Sequence, residues 1–192
     1  MKLSAKGFTL IELLIVIAVL GILAVAVLSA INPIEQINRS RDTGSRSDAE
    51  QLISAVDRFY ASRGYYPWQT VTSAGGVTPT SPSLPLTTVN DSWVVSGSSV
   101  KVLDVLSSSG TEELKKSFVT RIHAAANPLF VYHNSGASDS FYVCFKPLSG
   151  AFKTEANTRC VDTTGKGLPE DIETSVKGTL CGSTENPYSC LP

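Results

Sequence analysis

The chain has 192 residues, of which 42% are apolar and 17% are charged, and its formal net charge at pH 7 is −1. This length suits one domain with an appendage. The near-neutral charge excludes a generally basic surface of the kind that binds nucleic acid without sequence preference. The apolar residues are not spread evenly, because they are concentrated near the N-terminus.

Residues 13–31 form an apolar run that is interrupted by Gly21 and Ser29 alone. A helix of this length crosses the roughly 30 Å hydrocarbon core of a bilayer. The run suits a single-pass membrane anchor, or a secretory signal with Lys2 and Lys6 as its basic region. It is long for a signal peptide, and no clean Ala-x-Ala cleavage site follows it. These features favour a helix that the mature protein keeps.

Glu12 lies at the start of this run, with no cationic side chain beside it in sequence. An ionisable group in a membrane segment is unfavourable, by roughly 2.5–3.5 kcal/mol for charged residues at a helix centre and less near an end. Glu12 is therefore a candidate functional residue. In the alternative interpretation, its carboxylate lies at headgroup depth and is tolerated there.

The residues around Glu12 form a recognisable motif, which reads Lys6-Gly7-Phe8-Thr9-Leu10-Ile11-Glu12. Followed by the apolar run, it resembles the prepilin signature of type IV pilins and type II secretion pseudopilins. The resemblance implies that a prepilin peptidase cuts between Gly7 and Phe8 and methylates the new amine of Phe8. It also implies that the Glu12 carboxylate pairs with the Phe8 amine of a neighbouring subunit during assembly.

The resemblance carries expectations about fold, partners and location. It implies an α+β fold in which a long N-terminal hydrophobic helix packs on a small antiparallel β-sheet head. The chain would form a homopolymer with other pilin subunits, assisted by an inner-membrane assembly platform. It would be single-pass in the inner membrane and then part of a cell-surface filament, with nucleic acid only as a ligand of that filament. The alternatives are a type II secretion or competence pseudopilin and, in a different class, a membrane-tethered enzyme or ligand-binding domain.

The sequence divides into a leader (residues 1–7), a hydrophobic assembly helix (8–31), its amphipathic continuation (32–64) and a globular head (65–192). Asn32-Pro33 predicts a kink, with Asn32 as cap and Pro33 at the first helical position. The i, i+4 pairs Asp42/Arg46 and Arg46/Glu50 predict a solvated helix face, or alternatively a charged surface between subunits. A capping box at residues 47–50 could start a separate helix there.

A stripe at helical spacing predicts the helix face that docks the head, and Gly64 predicts the helix end; its members are Leu52, Ile53, Val56, Phe59 and Tyr60. The aromatic segment at residues 65–68 is expected to pack beneath the head. An irregular loop is predicted over residues 70–99, with a short strand near Trp93, and a helix over 109–127. Strands are predicted at 130–134 and 141–146, with a third at about 158–162.

The four cysteines, Cys144, Cys160, Cys181 and Cys190, all lie in the C-terminal third. Since no Cys-x-x-Cys spacing occurs, zinc or thioredoxin-type chemistry is disfavoured and disulfides in an oxidising compartment are predicted. Four cysteines allow three pairings. We favour Cys144–Cys160 across neighbouring strands and Cys181–Cys190 closing the tail.

No catalytic residue is predicted. His123 and His133 do not lie in a motif that pairs them with a nucleophile, so both are interpreted as structural. No cofactor or metal is predicted either. The oxygen-rich segment 162–171 offers calcium ligands, but their spacing matches no known loop and Lys166 opposes a cation.

Overall fold

The computed structural model describes residues 7–30, 32–72, 78–125, 127–136, 138–161, 167–182 and 187–192. The chain divides into two compact units, residues 1–37 and 38–192. Residues 38–192 form the second unit.

The first unit consists mainly of helix α1, Leu10–Ala30. Side chains from Leu10 to Ser29 are all exposed, although nearly all of them are apolar. This segment of 20 residues has a mean hydropathy of 3.1, so by length and composition it could cross a membrane.

Helix α2, Pro33–Arg63, begins with Pro33 at its first position, as predicted. The Asn32 side-chain oxygen accepts a hydrogen bond from the Glu35 amide at 3.3 Å, which confirms Asn32 as the cap. The helix continues without a break through residues 47–50, so the separate helix start there is wrong. Gly64 follows at a φ of 76° and donates its amide to the Tyr60 carbonyl at 2.7 Å, which confirms the predicted end.

The second unit is built on a four-stranded antiparallel sheet with the order β3-β4-β5-β6. Its strands are β3 (Leu84–Thr88), β4 (Leu129–His133), β5 (Phe141–Phe145) and β6 (Ser189–Leu191). A separate two-stranded sheet pairs β1 (Val71–Thr72) with β2 (Thr78–Pro79). The α+β class is therefore confirmed, and β4 and β5 confirm two predicted strands.

Successive side chains of a strand point to opposite faces of the sheet. Each face of this sheet is covered by a core of its own. On one face, Val131, Val143 and Phe145 belong to the main core, which also includes Leu52, Val56 and Phe59 of α2. The predicted stripe is thus confirmed at these three α2 positions, whereas Tyr60 is exposed. On the other face, a smaller core contains the following buried residues: Tyr132, Tyr142, Cys144, Ile172, Leu180 and Cys190.

Among its described residues, the second unit has four further helices: α3 (Val102–Ser107), α4 (Lys116–His123), α5 (Gly150–Val161) and α6 (Thr174–Leu180). The predicted helix over residues 109–127 is therefore wrong in its first half. Gly110 has a φ of 97° and Glu112 a φ of 45°, and neither value is helical. Residues 109–111 form a turn where the first residues of the helix were predicted.

The third predicted strand, at about residues 158–162, is also wrong, because residues 158–161 form the end of α5. Residue 162 lies outside the described residues. The C-terminal β6 supplies the fourth strand instead. Likewise β3 lies inside the segment that was predicted as an irregular loop, residues 70–99.

Candidate functional site: the N-terminal motif and the anchored second unit

The predicted cleavage site lies immediately before α1. Gly7, Phe8 and Thr9 are outside the helix, and the Phe8 side chain is 90% exposed. A β-carbon placed on Gly7 would meet no atom within 4 Å among the described residues. The Gly7–Phe8 peptide bond is therefore uncrowded on the part of the chain that the structure describes.

Glu12 forms a reciprocal cap with Thr9. Glu12 Oε2 accepts the Thr9 amide at 3.0 Å and the Thr9 hydroxyl at 2.8 Å, and Thr9 Oγ1 accepts the Glu12 amide at 3.3 Å. This arrangement is a capping box, in which two free amides at a helix N-terminus are satisfied together. The Thr-x-x-Glu spacing at residues 9–12 is the sequence signal for this capping box. Glu12 thus has a local structural role besides the role that the resemblance implies.

The burial of Asp42 contradicts the prediction that this face of α2 is solvated. Its side chain is fully buried, and its two oxygens accept three hydrogen bonds. The donors are the Leu148 amide at 2.9 Å, the Ser149 amide at 2.8 Å and the Ser149 hydroxyl at 2.6 Å. These groups precede α5, so Asp42 satisfies polar groups at the start of that helix from a distant part of the chain.

Arg46, the predicted partner of Asp42, contacts Glu155 instead, at 3.1 Å. Glu155 also contacts Arg159 at 2.7 Å, and Arg159 donates to the Cys190 carbonyl at 3.0 Å. The i, i+4 pattern on α2 could not show the contact between Arg46 and Glu155, because these two residues are 109 positions apart in sequence.

The disulfide pairing that we favoured from the sequence is wrong. Cys144 pairs with Cys190, with their Cα atoms 4.0 Å apart, and Cys160 pairs with Cys181. The prediction placed Cys160 on a strand beside Cys144. Because that segment is helical, the cross-strand neighbour of Cys144 is Cys190 on β6. The two bonds join β5 to β6 and α5 to the residue that follows α6.

The two histidines lie in different environments. His123 lies at the exposed end of α4, and its Nε2 is 3.1 Å from Asp91 Oδ1. His133, at the end of β4, is fully buried near the rings of Tyr66 and Trp68. The aromatic segment at residues 65–68 therefore packs in the core as predicted. The calcium alternative falls partly on residues 162–166, which lie outside the described residues.

Comparison with known proteins supports the interpretation of the N-terminal motif. Residues 2–28 match the prokaryotic N-terminal methylation motif. The chain is 43% identical over 76 residues to a type IV major pilin protein PilE1 of Neisseria gonorrhoeae, which is 40% of this chain and 44% of that protein. A second PilE1 from that organism is 29% identical over 178 residues, covering 92% of this chain and 73% of the relative.

The fimbrial protein EcpC of Eikenella corrodens is 40% identical over 67 residues, which is 35% of this chain and 42% of that relative. The matched segment thus spans less than half the length of several of these relatives. No solved structure matches the chain. The methylation motif, the α+β fold and the named relatives support the resemblance of this chain to the type IV pilin family.

Proposed function

We propose that the chain is a structural subunit of a type IV pilus and that it polymerises through α1. The observation that carries this proposal is an apolar helix, exposed along its whole described length, with the Glu12 carboxylate in its first turn. In a bilayer this surface contacts lipid, and in a filament it contacts the same helix of other subunits. The names of the relatives, pilin and fimbrial protein, favour a pilus over a secretion pseudopilus.

The first step that we propose is cleavage between Gly7 and Phe8 by a prepilin peptidase, followed by methylation of the Phe8 amine. The exposed, uncrowded Gly7–Phe8 bond supports this step. Cleavage here keeps α1 in the product, whereas an ordinary signal peptidase would remove it. The mature chain would have 185 residues (192 − 7). Before assembly it would be held in the inner membrane as a single-pass protein.

The second step is assembly on an inner-membrane platform, with Glu12 meeting the Phe8 amine of a neighbouring subunit. Two opposite charges 4 Å apart attract by about 4 kcal/mol at an effective dielectric of 20, before their desolvation is subtracted. In the described residues both bonds from Thr9 fall on Oε2, so Oε1 remains available to a neighbour. The pair would select the axial register of subunits more than it would add stability.

The mass of the N-terminal peptide tests the processing step directly. Chains extracted from membranes and from sheared surface filaments would be digested and analysed by mass spectrometry. We expect the filament form to begin at Phe8 with one added methyl group. Retention of Met1 or Lys2 in filaments would contradict the proposal, and so would a chain that is never recovered from filaments. The latter result would favour a membrane-tethered protein with another role.

A further inference from the structure

His133 is a fully buried ionisable group of the second unit that has no role in the proposed function. Its side chain has no exposed surface, and neither ring nitrogen has a hydrogen-bond partner among the described residues. A neutral imidazole carries one donor and one acceptor, so both are left unsatisfied in the core. Unsatisfied polar groups of this kind are rare in native proteins and call for an explanation.

The ring of His133 lies where three parts of the second unit meet. Its centroid is 4.5 Å from that of Tyr66 and 5.7 Å from that of Trp68, both in the segment that follows α2. In the sheet, His133 pairs with Leu84 of β3 and with Phe141 of β5. Three parts of the chain therefore converge on one imidazole: the segment after α2, the start of β3 and the end of the β4–β5 hairpin.

The groups around the ring determine how it responds to a proton. Burial lowers the pKa of His133, and this effect outweighs the Asp139 carboxylate and the carbonyl groups of Pro82, Asn134 and Asp139, which favour the charged form. Tyr66 stays neutral in the acidic range, because burial and the negative charges of Asp57 and Asp139 raise its pKa. Among these groups Asp139 is the charged side chain, and its attraction for a protonated ring does not compensate for the lost hydration.

We propose that His133 makes the second unit acid-sensitive, because its ring must be exposed to take up a proton. Exposure separates the Tyr66–Trp68 segment from the end of the β4–β5 hairpin. The opened form binds the proton with an ordinary histidine affinity, near pH 6.5, while the closed form resists it. Acidification below this pH therefore favours the opened form. The inference concerns the second unit alone and holds whether or not the chain forms filaments.

The size of the effect follows from linkage. A group that is neutral when folded and protonated when opened changes the opening equilibrium by up to tenfold per pH unit below about pH 6.5. From pH 6.5 to pH 5.0 we expect the equilibrium constant for unfolding to rise by up to about 16-fold. Asp57 acts in the opposite direction, because burial raises its pKa and the folded form holds its proton more readily.

The chain offers a local reporter and a matched control. Its two tryptophans, Trp68 and Trp93, both belong to the aromatic cluster near His133, and its second histidine, His123, lies on the surface. Urea unfolding of the full chain in detergent would be followed by tryptophan fluorescence at several pH values between 7.5 and 5.0. The variants would be His133→Phe, which supplies a neutral ring of similar width, and His123→Gln.

We expect the wild-type chain and His123→Gln to lose stability alike on acidification, and His133→Phe to change less than threefold over the same range. A wild-type chain whose stability does not fall between pH 6.5 and pH 5.0 would overturn the proposal. The same conclusion would follow if His133→Phe showed the full wild-type dependence.

If His133→Phe does not fold, a measurement on the unmodified His133 still tests the proposal. The ring signals of the full chain, labelled with ¹³C at histidine, would be recorded by NMR across the same range, with His123→Gln used to assign them. We expect the His133 signals to keep the chemical shift of the neutral ring for as long as the chain remains folded. Titration of His133 near pH 6.5 in the folded chain would refute the proposal.

Discussion

Asp42 of α2 and Ser149 before α5 are joined by two hydrogen bonds, although 107 residues separate them in sequence. The carboxylate also accepts the Leu148 amide, so one buried charge is satisfied by three donors. A buried carboxylate is tolerated only with such partners, because its desolvation is otherwise unfavourable. The two residues therefore fix the start of α5 against the middle of α2.

Replacing Asp42 with Ala should destabilise the second unit by about 2–4 kcal/mol, because it leaves the amides of Leu148 and Ser149 and the buried Ser149 hydroxyl without their acceptor. Ser149→Ala should lower stability by only about 1 kcal/mol, since both amides keep the carboxylate. Glu50→Gln, at an exposed position on the same helix, serves as the control and should change stability by less than about 0.5 kcal/mol. Urea unfolding of the full chain in detergent measures all three. An Asp42→Ala chain as stable as Glu50→Gln would contradict this account.

The contrast between α2 and α5 shows what the sequence could reveal. Local signals were sufficient where a single residue determines the backbone: Asn32 caps α2 and Gly64 ends it. They failed for Asp42, because its spacing from Arg46 suggested a surface pair while its actual partners lie in a distant segment. They failed again at residues 158–161, where a Thr- and Val-containing segment was interpreted as a strand although it ends a helix that begins after Ser149. Contacts between distant segments decided both cases.

The same reasoning explains the cysteines. Their number and late position indicated disulfides, but the pairing depends on which strand lies beside β5, and sequence periodicity does not determine that. Once β6 occupies that position, Cys190 lies opposite Cys144. In the N-terminal motif, by contrast, the three hydrogen bonds between Thr9 and Glu12 join residues three positions apart, so the Thr-x-x-Glu spacing alone predicts them.

Non-reducing peptide mapping should yield linked Cys144/Cys190 and Cys160/Cys181 peptides. The sequence separations are 46 and 21 residues, for which chain entropy gives a stabilisation of about 4 and about 3 kcal/mol, respectively. Replacing Cys144 and Cys190 together with Ser should therefore destabilise the second unit more than replacing Cys160 and Cys181. Linked Cys144/Cys160 peptides would show that the pairing described here is incorrect.

Gly44 within α2 and Gly64 after its end should respond in opposite ways to replacement by alanine. Gly64→Ala should destabilise the chain by about 1 kcal/mol, because its φ of 76° is strained for any residue with a β-carbon. Gly44→Ala should stabilise the chain by up to about 1 kcal/mol, since position 44 is helical and exposed. A β-carbon placed there meets no atom within 4 Å among the described residues. Thermal or urea unfolding of the two variants side by side measures the difference. Equal effects of the same sign would contradict the assigned backbone conformations.

Glu12→Ala should abolish filament formation or sharply reduce it, while membrane insertion is retained. The change makes α1 more apolar, so insertion becomes easier. Assembly loses the carboxylate that would meet the Phe8 amine of a neighbouring subunit, and that cation is left without a partner in an apolar surrounding. Glu12→Gln should be intermediate at best, because the amide keeps an acceptor for Thr9 but not the charge. The yield of sheared surface filaments relative to total membrane-bound chain measures the effect, with cleavage after Gly7 checked separately.

Thr9→Ala separates the two roles of Glu12. It removes the side-chain half of the capping box, which weakens the start of α1 by about 0.5–2 kcal/mol, yet it leaves the carboxylate in place. If Glu12 acts through a neighbouring subunit, correctly cleaved Thr9→Ala chains should assemble far better than cleaved Glu12→Ala chains. If the cap alone matters, the two variants should fail equally. Equal failure would therefore assign Glu12 to the folding of its own helix and remove the proposed contact between subunits.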